Sequence, residues 1–290
     1  MMSPKIAKTK GYPPMTALIT CLWILAGICA LTWVLSLITK EYSWVDRIWS
    51  IIPLVYVWVF AGFAGFTDVR LNVIAVIVTL WGARLTFNFA RKGGYAPGGE
   101  DYRWEILRQR ITGWKWQVFN LFFIVIFQNV LLFLITLPAY TSYENRQTPF
   151  GVFDVIVTVA FLGLLLMETV ADQQQWNFHQ WKKSEVAAGR TTKPGFLTTG
   201  LFASSRHPNF FAEQAQWWVL FFFGAAAAES ILQWTIVGPV LLTVLFIGSY
   251  RFAEEISSAK YPDYALYQKR VSPLIPWFPR RGEEAETAKA

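Results

Sequence analysis

Seven stretches of about twenty mostly apolar residues recur along this chain, and they restrict its possible folds more than any other feature. A helix of that length spans the hydrocarbon core of a bilayer. Charged residues make up only 16% of the chain, whereas a soluble domain carries about 25%. We therefore predict an all-α, polytopic integral membrane bundle that forms a single domain over residues 1–290. The predicted spans are Met15–Ile38, Ile48–Phe66, Leu71–Phe89, Val118–Pro138, Phe150–Ala171, Phe210–Ala228 and Ile231–Tyr250.

The distribution of lysine and arginine predicts which side of the membrane each loop faces. With Arg84 left out because it lies inside a span, five of these residues fall on the side of the N-terminal arm and twenty on the opposite side. Loops rich in Lys and Arg stay in the cytoplasm, so we expect the N-terminus outside and the C-terminus in the cytoplasm. The net charge of +7 reflects this topology and does not indicate nucleic acid as a partner.

The N-terminal region resembles a signal peptide only superficially. Lys5, Lys8 and Lys10 precede an apolar run, but that run continues for more than twenty residues without a small-residue cleavage site. We therefore expect a retained span. Cys21 and Cys29 lie in the same apolar segment, a spacing that fits neither a disulfide framework nor a metal site.

The segment Thr198–Trp218 carries polar side chains directly into a predicted span. Gly200 permits a turn, and Pro208 suits the first turn of a helix. Side chains at three- and four-residue steps then share one helical face. Charged and amide groups are costly in lipid and normally face a bundle interior or a ligand. The alternative is a helix end that extends to the headgroups, held by an arginine–glutamate pair. The polar face consists of Arg206, Asn209, Glu213 and Gln216.

A second polar stripe leaves the fifth predicted span, where Glu168, Asp172, Gln175 and His179 recur at three- and four-residue steps. Carboxylates that directly follow an apolar run are expected to face other helices rather than lipid. Asp172 can equally bridge two helices for structural reasons, and His179 can lie on the surface. No HxxEH, HExxH or CxxC spacing indicates a metal, so we predict none.

The loops on the predicted cytoplasmic side add further candidates. Arg84 and Asn88 lie one helical turn apart at the end of the third span; Arg84 lines a ligand site or extends to the headgroups. Asp46 precedes the second span and is either a site residue or a loop carboxylate paired with Arg47. The segment EDYRW, which contains Arg103, follows a glycine-rich turn and either forms solvated surface or closes over a ligand; the second is favoured.

The C-terminal region supplies charged and aromatic groups where the seventh span ends. Arg251 and Glu254 leave that span, and Tyr261 begins a series of tyrosines at every third residue. Tyrosines at this spacing are more often membrane-interface residues than ligand contacts. Trp277 and Phe278 are expected to anchor at the membrane surface, and residues 280–290 to form a disordered tail.

These residue types favour an enzyme that joins a charged soluble cofactor to a hydrophobic substrate. Arg and Lys suit phosphates, amides and carboxylates suit ribose and nicotinamide groups, and an apolar cavity suits a lipid-like substrate. No GxSxG, GxGxxG or Walker motif is present. The residue types alone do not select a reaction.

Six short motifs, in this order, resemble the bacterial branch of the membrane steroid 5-alpha-reductase family: VDRIW, LWGARLTFNFARKGG, EDYRW, ADQQQWNF, SSRHPNFFAE and KYPDYALYQKRVSPLIPWFP. They cover about Ser43 to Pro279. The resemblance implies that the first four spans enclose a lipid-like substrate and that the last three hold NADPH at the cytoplasmic face. It also implies reduction of the carbon–carbon double bond of a 3-keto-4-ene steroid or similar enone, in the bacterial inner membrane.

The resemblance also assigns roles to individual residues. Asp46 is the closest counterpart of the family's ketone-binding glutamate, and Trp81 occupies the position of its ketone-binding tyrosine, where an indole can donate a hydrogen bond but has no titratable proton. These two residues are the predicted catalytic pair. The predicted NADPH-binding residues are Arg84, Asn88, Lys92, Arg103, Asp172, His179, Arg206, His207, Asn209, Glu213, Tyr250, Arg251, Glu254 and Tyr261.

Two other functions remain open from the sequence. The isoprenylcysteine methyltransferase-like family shares the RHPNFF-type motif and would use S-adenosylmethionine, although VDRIW and EDYRW favour the reductases. The third possibility is a non-enzymatic lipid- or sterol-binding membrane protein. In each case we expect a monomer in the lipid bilayer.

Overall fold

A computed structural model describes residues 14–280 of the chain. Within this range every regular element is a helix, and the strand-like pairing is limited to an isolated bridge between Ser205 and Ser272. The predicted all-helical architecture is therefore confirmed. The predictions for Lys5, Lys8 and Lys10 and for the tail beyond Arg280 concern residues outside the described range.

Twelve α-helices follow one another in these described residues. A π-helical segment, Asn120–Phe127, joins α6 to α7, and short 3₁₀ turns precede α10 and α11. The helices are α1 (Pro14–Thr39), α2 (Trp44–Trp49), α3 (Ile52–Phe63), α4 (Val69–Arg91), α5 (Tyr102–Arg110), α6 (Trp114–Phe119), α7 (Gln128–Leu134), α8 (Leu137–Glu144), α9 (Val152–Ala187), α10 (Pro208–Ala227), α11 (Val237–Lys260) and α12 (Tyr264–Arg270).

Six helical segments between residues 14 and 280 are long and apolar enough to cross a membrane, which marks the chain as an integral membrane protein. The predicted sixth span corresponds to α10, which is helical but is not among the six. Polar side chains in its first turns, such as Glu213 and Gln216, lower its mean hydropathy. The count of seven therefore stays a prediction. The six segments are Thr16–Thr39, Trp44–Phe63, Val69–Arg91, Trp114–Glu144, Val152–Ala187 and Trp234–Lys260.

Several helices extend further than the sequence predicted, among them α11, which ends at Lys260 rather than at Tyr250. The helix α9 has 36 residues and ends at Ala187 rather than near Ala171, so His179 lies on the helix itself. At about 1.5 Å per residue, α9 is about 54 Å long, which exceeds the roughly 30 Å of a hydrocarbon core. Asp46 lies on α2, inside an apolar segment, and not in a loop before it.

The described chain divides into two compact units. The first comprises the described residues of Met1–Asp154 together with Phe223–Gly238. In it α3 and α4 pack closely at Gly82, where a Cβ atom would lie 2.4 Å from the carbonyl oxygen of Ser50. The Ser50 hydroxyl lies 2.7 Å from that of Thr86, one turn further along α4. A glycine at this position therefore permits the close packing of α3 against α4.

The second unit comprises Val155–Phe222 and the described residues of Pro239–Ala290. Here Trp218 of α10 donates from its indole to the Thr243 hydroxyl of α11 at 3.0 Å. The chain after α12 returns to the segment before α10, because Arg206 N donates to the Ser272 carbonyl and Trp277 N to the Ser204 carbonyl, each at 2.9 Å. These bonds fix the RHPN segment against the C-terminal segment.

Candidate functional site

Asp46, the predicted ketone-polarising acid, is half-buried on α2 of the first unit. Its Oδ2 accepts a hydrogen bond of 2.7 Å from Nε1 of Trp104, on α5. Trp104 itself packs against a buried cluster that includes Tyr42 and Trp116. Asp46 is therefore positioned by an indole, and the alternative of a simple pair with Arg47 is not what the structure contains.

Arg47 instead attaches the glycine-rich loop to α2. Its guanidinium pairs with Glu41 at 2.6 Å and donates to the carbonyls of Gly94 and Ala96 at 3.2 and 3.3 Å. Glu41 also accepts from the backbone N of Gly98 at 2.9 Å. Glu41 belongs to none of the motifs, so no signal in the sequence pointed to it.

The segment EDYRW is held by paired charges. Arg103 donates to both carboxylate oxygens of Asp101, at 2.9 and 3.0 Å. Burial raises the pKa of Asp101, but the hydrogen bonds and charge of Arg103 outweigh it and leave the pKa below its ordinary value. Glu100 accepts from Arg108 and from the backbone N of Tyr42. These contacts order the helix that carries Trp104 and, through it, Asp46.

Four predicted residues share one face of α4, because Trp81, Arg84, Asn88 and Lys92 recur at helical spacing. Trp81 is fully buried, and Asn88 is buried with its Oδ1 accepting from Arg91 Nε at 2.9 Å. Arg84 is half-buried and Lys92 is exposed. Along this face towards the C-terminus of the helix, an indole is thus followed by a cation, an amide and a second cation.

In the second unit, α9 and α10 carry a set of buried and half-buried carboxylates and amides that we call the polar ladder. It consists of Glu168, Asp172, Asn209, Glu213 and Gln216. Gln216 donates to Glu168 at 2.6 Å, and Asn209 donates to Asp172 at 3.3 Å. Glu213 accepts from the Trp217 indole at 3.2 Å. The three carboxylates are at most 5% exposed and Gln216 is fully buried. The predicted polar stripes of these two helices therefore meet each other.

A second cluster surrounds Glu254 of α11, which is 7% exposed. It brings together four predicted residues: Arg206, His207, Tyr250 and Glu254. Arg206 contacts both oxygens of Glu254 and donates to the carbonyls of Gln268 and Val271. His207 Nε2 lies 3.1 Å from Glu254, and its ring lies 5.7 Å from that of Tyr250. The glutamate partner of Arg206 thus comes from α11 and not from the polar face of α10.

The remaining predicted cofactor residues differ in exposure. His179 and Arg251 are exposed, whereas Tyr261 is half-buried. The hydroxyl of Tyr261 accepts from Lys182 Nζ at 2.8 Å. Lys182 was not among the predicted site residues. Among residues 14–280, no group of three or more His, Cys, Asp or Glu side chains is arranged to hold a metal ion.

Comparison with known proteins places the chain in a family. A family model described as "Protein of unknown function (DUF1295)" matches residues 32–271, a range that contains every predicted site residue. An uncharacterised protein of the fission yeast Schizosaccharomyces pombe is 40% identical over 259 residues, which cover 84% of this chain and 75% of that protein. No solved structure matches the chain. The protein, with its two units and their buried polar clusters, is therefore a member of the DUF1295 family.

Proposed function

We propose that this protein is an NADPH-dependent membrane reductase that saturates the carbon–carbon double bond of a hydrophobic enone, such as a 3-keto-4-ene steroid. The proposal includes seven spans, a cytoplasmic cofactor site and a location in the bacterial inner membrane. The polar ladder is the observation that carries it. Buried carboxylates and amides in apolar helices are costly, and such groups mark ligand or ion sites more often than they mark simple packing.

The chemistry of the ladder fits a nicotinamide nucleotide. Carboxylates accept hydrogen bonds from ribose hydroxyls and from the amide N–H groups of a carboxamide, and side-chain amides both donate and accept. Asp172, Asn209 and Glu213 are the residues that would contact these groups. The cluster around Glu254 supports the ladder indirectly, because Arg206 fixes the segment that leads into α10.

Asp46 is the group that we assign to the substrate ketone. NADPH, when bound, supplies the hydride that forms the new bond at the carbon beta to the ketone. Negative charge then develops on the ketone oxygen, where a hydrogen bond from an acidic group stabilises it most effectively in a dry pocket. A proton added at the alpha carbon completes the reduction. Trp104 holds one oxygen of Asp46 in place, and Trp81 supplies a buried indole donor.

The experiment that tests this function is NADPH consumption by the purified, detergent-solubilised protein with progesterone or testosterone as acceptor. Matching oxidation of NADPH and a product heavier by two mass units are expected. Saturable NADPH binding without turnover would keep the cofactor and reject these substrates. Binding of S-adenosylmethionine in place of NADPH would favour the methyltransferase, and binding of neither would favour a lipid-binding protein.

A further inference from the structure

A cleft of about 600 Å³ lies in the second unit, between the C-terminal ends of α9 and α11 and the loop that follows α9. Apolar side chains, among them Val186, Phe196 and Pro262, form part of its lining. The size falls in the range of small-molecule sites. We propose that this cleft binds a phosphate monoester whose phosphate is attached to an apolar or aromatic group.

The charge of the lining matches such a ligand. Four cations line the cleft, Lys182, Arg190, Lys193 and Lys260, against the carboxylate of Asp263. Arg190 is paired with Glu185 through two hydrogen bonds, so three lysines face one carboxylate. A phosphate monoester carries close to two negative charges at neutral pH. Its charge therefore balances the excess of the lining, whereas a phosphodiester would leave one positive charge over.

One corner of the cleft is fixed before any ligand arrives. Lys182 Nζ donates to the carbonyl of Gly195 and to the hydroxyl of Tyr261. Gly195 lies directly against the tyrosine ring, since a Cβ atom there would approach Cε1 of Tyr261 to 2.4 Å. The loop, the ring and the lysine are thus held together by direct contacts. A site of this kind needs little ordering when it binds, which favours affinity.

The electrostatics of Tyr261 agree with a positive cleft. Burial raises the pKa of its phenol, but the hydrogen bond from Lys182 and the charges of Lys182 and Lys260 outweigh burial and lower the pKa below its ordinary value. The ammonium groups of Lys182 and Lys260 lie 4.8 and 5.5 Å from the ring centroid. The surroundings of this residue therefore stabilise negative charge.

Two sources present a phosphate monoester at a membrane surface. One is the 2′-phosphate of NADPH, which rests on the proposed function. The other is the headgroup of phosphatidic acid, which does not. Lys193 and Lys260 are exposed members of the lining, so their removal lowers the charge of the cleft and leaves in place the bonds of Lys182 to Gly195 and Tyr261.

The test uses the full-length protein in detergent and calorimetric titration with adenosine 2′-monophosphate and with dihexanoyl phosphatidic acid. Adenosine, which lacks the phosphate, and dihexanoyl phosphatidylcholine, which has a phosphodiester in place of the monoester, are the controls for the nucleoside and for the acyl chains. We expect at least one phosphate monoester to bind and the Lys193→Ala/Lys260→Ala variant to weaken that binding about tenfold or more. Lys183→Ala, an exposed neighbour outside the lining, should leave the affinity unchanged.

The outcomes separate the sources and the two proposals. Binding of the nucleotide alone assigns the cleft to NADPH, and binding of the lipid analogue alone assigns it to the membrane. No saturable binding of either probe, or equal losses in the lysine double variant and in Lys183→Ala, overturns the site. Binding in a wild-type protein that neither binds nor consumes NADPH would reject the reductase and keep the phosphate site.

Discussion

Each unit contains an arginine that is held by one carboxylate and two backbone carbonyls. In the first unit, Arg70 contacts both oxygens of Asp154 at 2.7 and 2.8 Å and the carbonyls of Thr148 and Pro149 at 3.0 and 2.9 Å. In the second unit, Arg206 has the same arrangement, with Glu254 as the carboxylate. Bidentate pairing of this kind is the geometry for which a guanidinium is best suited.

The difference lies in what else the carboxylate binds. Asp154 accepts from the backbone N of Gly151, three residues earlier, and is 2% exposed. This additional bond is therefore local to the start of α9. Glu254 is 10% exposed at its side chain and also contacts His207 and Gln268. The first pair fastens the chain between α8 and α9 to α4. The second joins α12 to two segments that carry predicted cofactor residues, the one before α10 and α11. The same local chemistry therefore serves stability in one unit and positioning in the other.

Asp154→Asn should produce the largest loss of stability. The change removes the charge partner of a buried guanidinium, and breaking a buried ion pair costs about 3–5 kcal/mol. Thermal unfolding in detergent measures the loss. Asp68→Asn is the matched control, because Asp68 caps α4 with a bond to Leu71 N and asparagine caps equally well. Equal stabilities for the two variants would contradict a buried clamp at Arg70.

Asp46→Asn should reduce catalysis and leave stability almost unchanged. This carboxylate accepts from an indole and not from a guanidinium, so no arginine is left unpaired. Loss of the acidic group at the ketone should lower turnover about a hundredfold, with NADPH affinity unchanged. Steady-state kinetics with a reducible enone decide the matter. Unchanged turnover would remove Asp46 from the proposed chemistry.

Glu254→Gln should cost about 2 kcal/mol, less than Asp154→Asn because water reaches this pair more easily. The C-terminal segment should also loosen, since Arg206 is what joins α11 to the carbonyls of Gln268 and Val271. Faster limited proteolysis near α12 and weaker NADPH binding are the expected signs. Glu255→Gln, at an exposed neighbour, is the control. If Asp154→Asn weakened NADPH binding as much as Glu254→Gln does, the Arg70–Asp154 and Arg206–Glu254 pairs would not differ in role.

Asn209→Ala and Glu213→Gln should each weaken NADPH binding about tenfold, which corresponds to about 1.4 kcal/mol. The bundle should stay folded, because the bond from Asn209 to Asp172 is long, at 3.3 Å. Gln214→Ala provides the control, because Gln214 is as buried as Glu213 but its side chain, within residues 14–280, bonds only to the Phe210 carbonyl of its own helix. A loss of affinity in the control as large as in the ladder variants would argue against direct contact.

Much of the fold could be predicted from the sequence because lipid imposes simple rules. Long apolar runs have few structural options, and the helical character of all described spans follows from them. The ends of helices were harder. The polar stripe beyond Ala171 continues α9 without a break, and hydropathy alone cannot distinguish such a projecting helix from a loop. Asp46 was predicted in a loop for a related reason: its charge and that of Arg47 hide the start of an apolar helical segment that begins at Trp44.

The candidate site was predictable where polar residues repeat at helical spacing. The ladder joins two stripes that are visible in the sequence, one with Glu168 and Asp172 and the other with Asn209 and Gln216. The hydrogen bonds run between the stripes, from Gln216 to Glu168 and from Asn209 to Asp172. Pairings between distant segments were not predictable, because a single acid or base far along the chain has no periodic signal. Glu254 as the partner of Arg206 is of this kind.

Glu185→Gln should have the smallest effect and completes the comparison. Arg190 pairs with Glu185 in the same bidentate way as the two buried arginines pair with their carboxylates, but its side chain is 62% exposed. Solvent and salt screen exposed pairs, and many of them contribute nothing measurable. We expect an unchanged unfolding temperature at low and at high salt. A loss as large as that of Glu254→Gln would mean that bidentate geometry, and not burial or the number of segments joined, decides what these arginine pairs contribute.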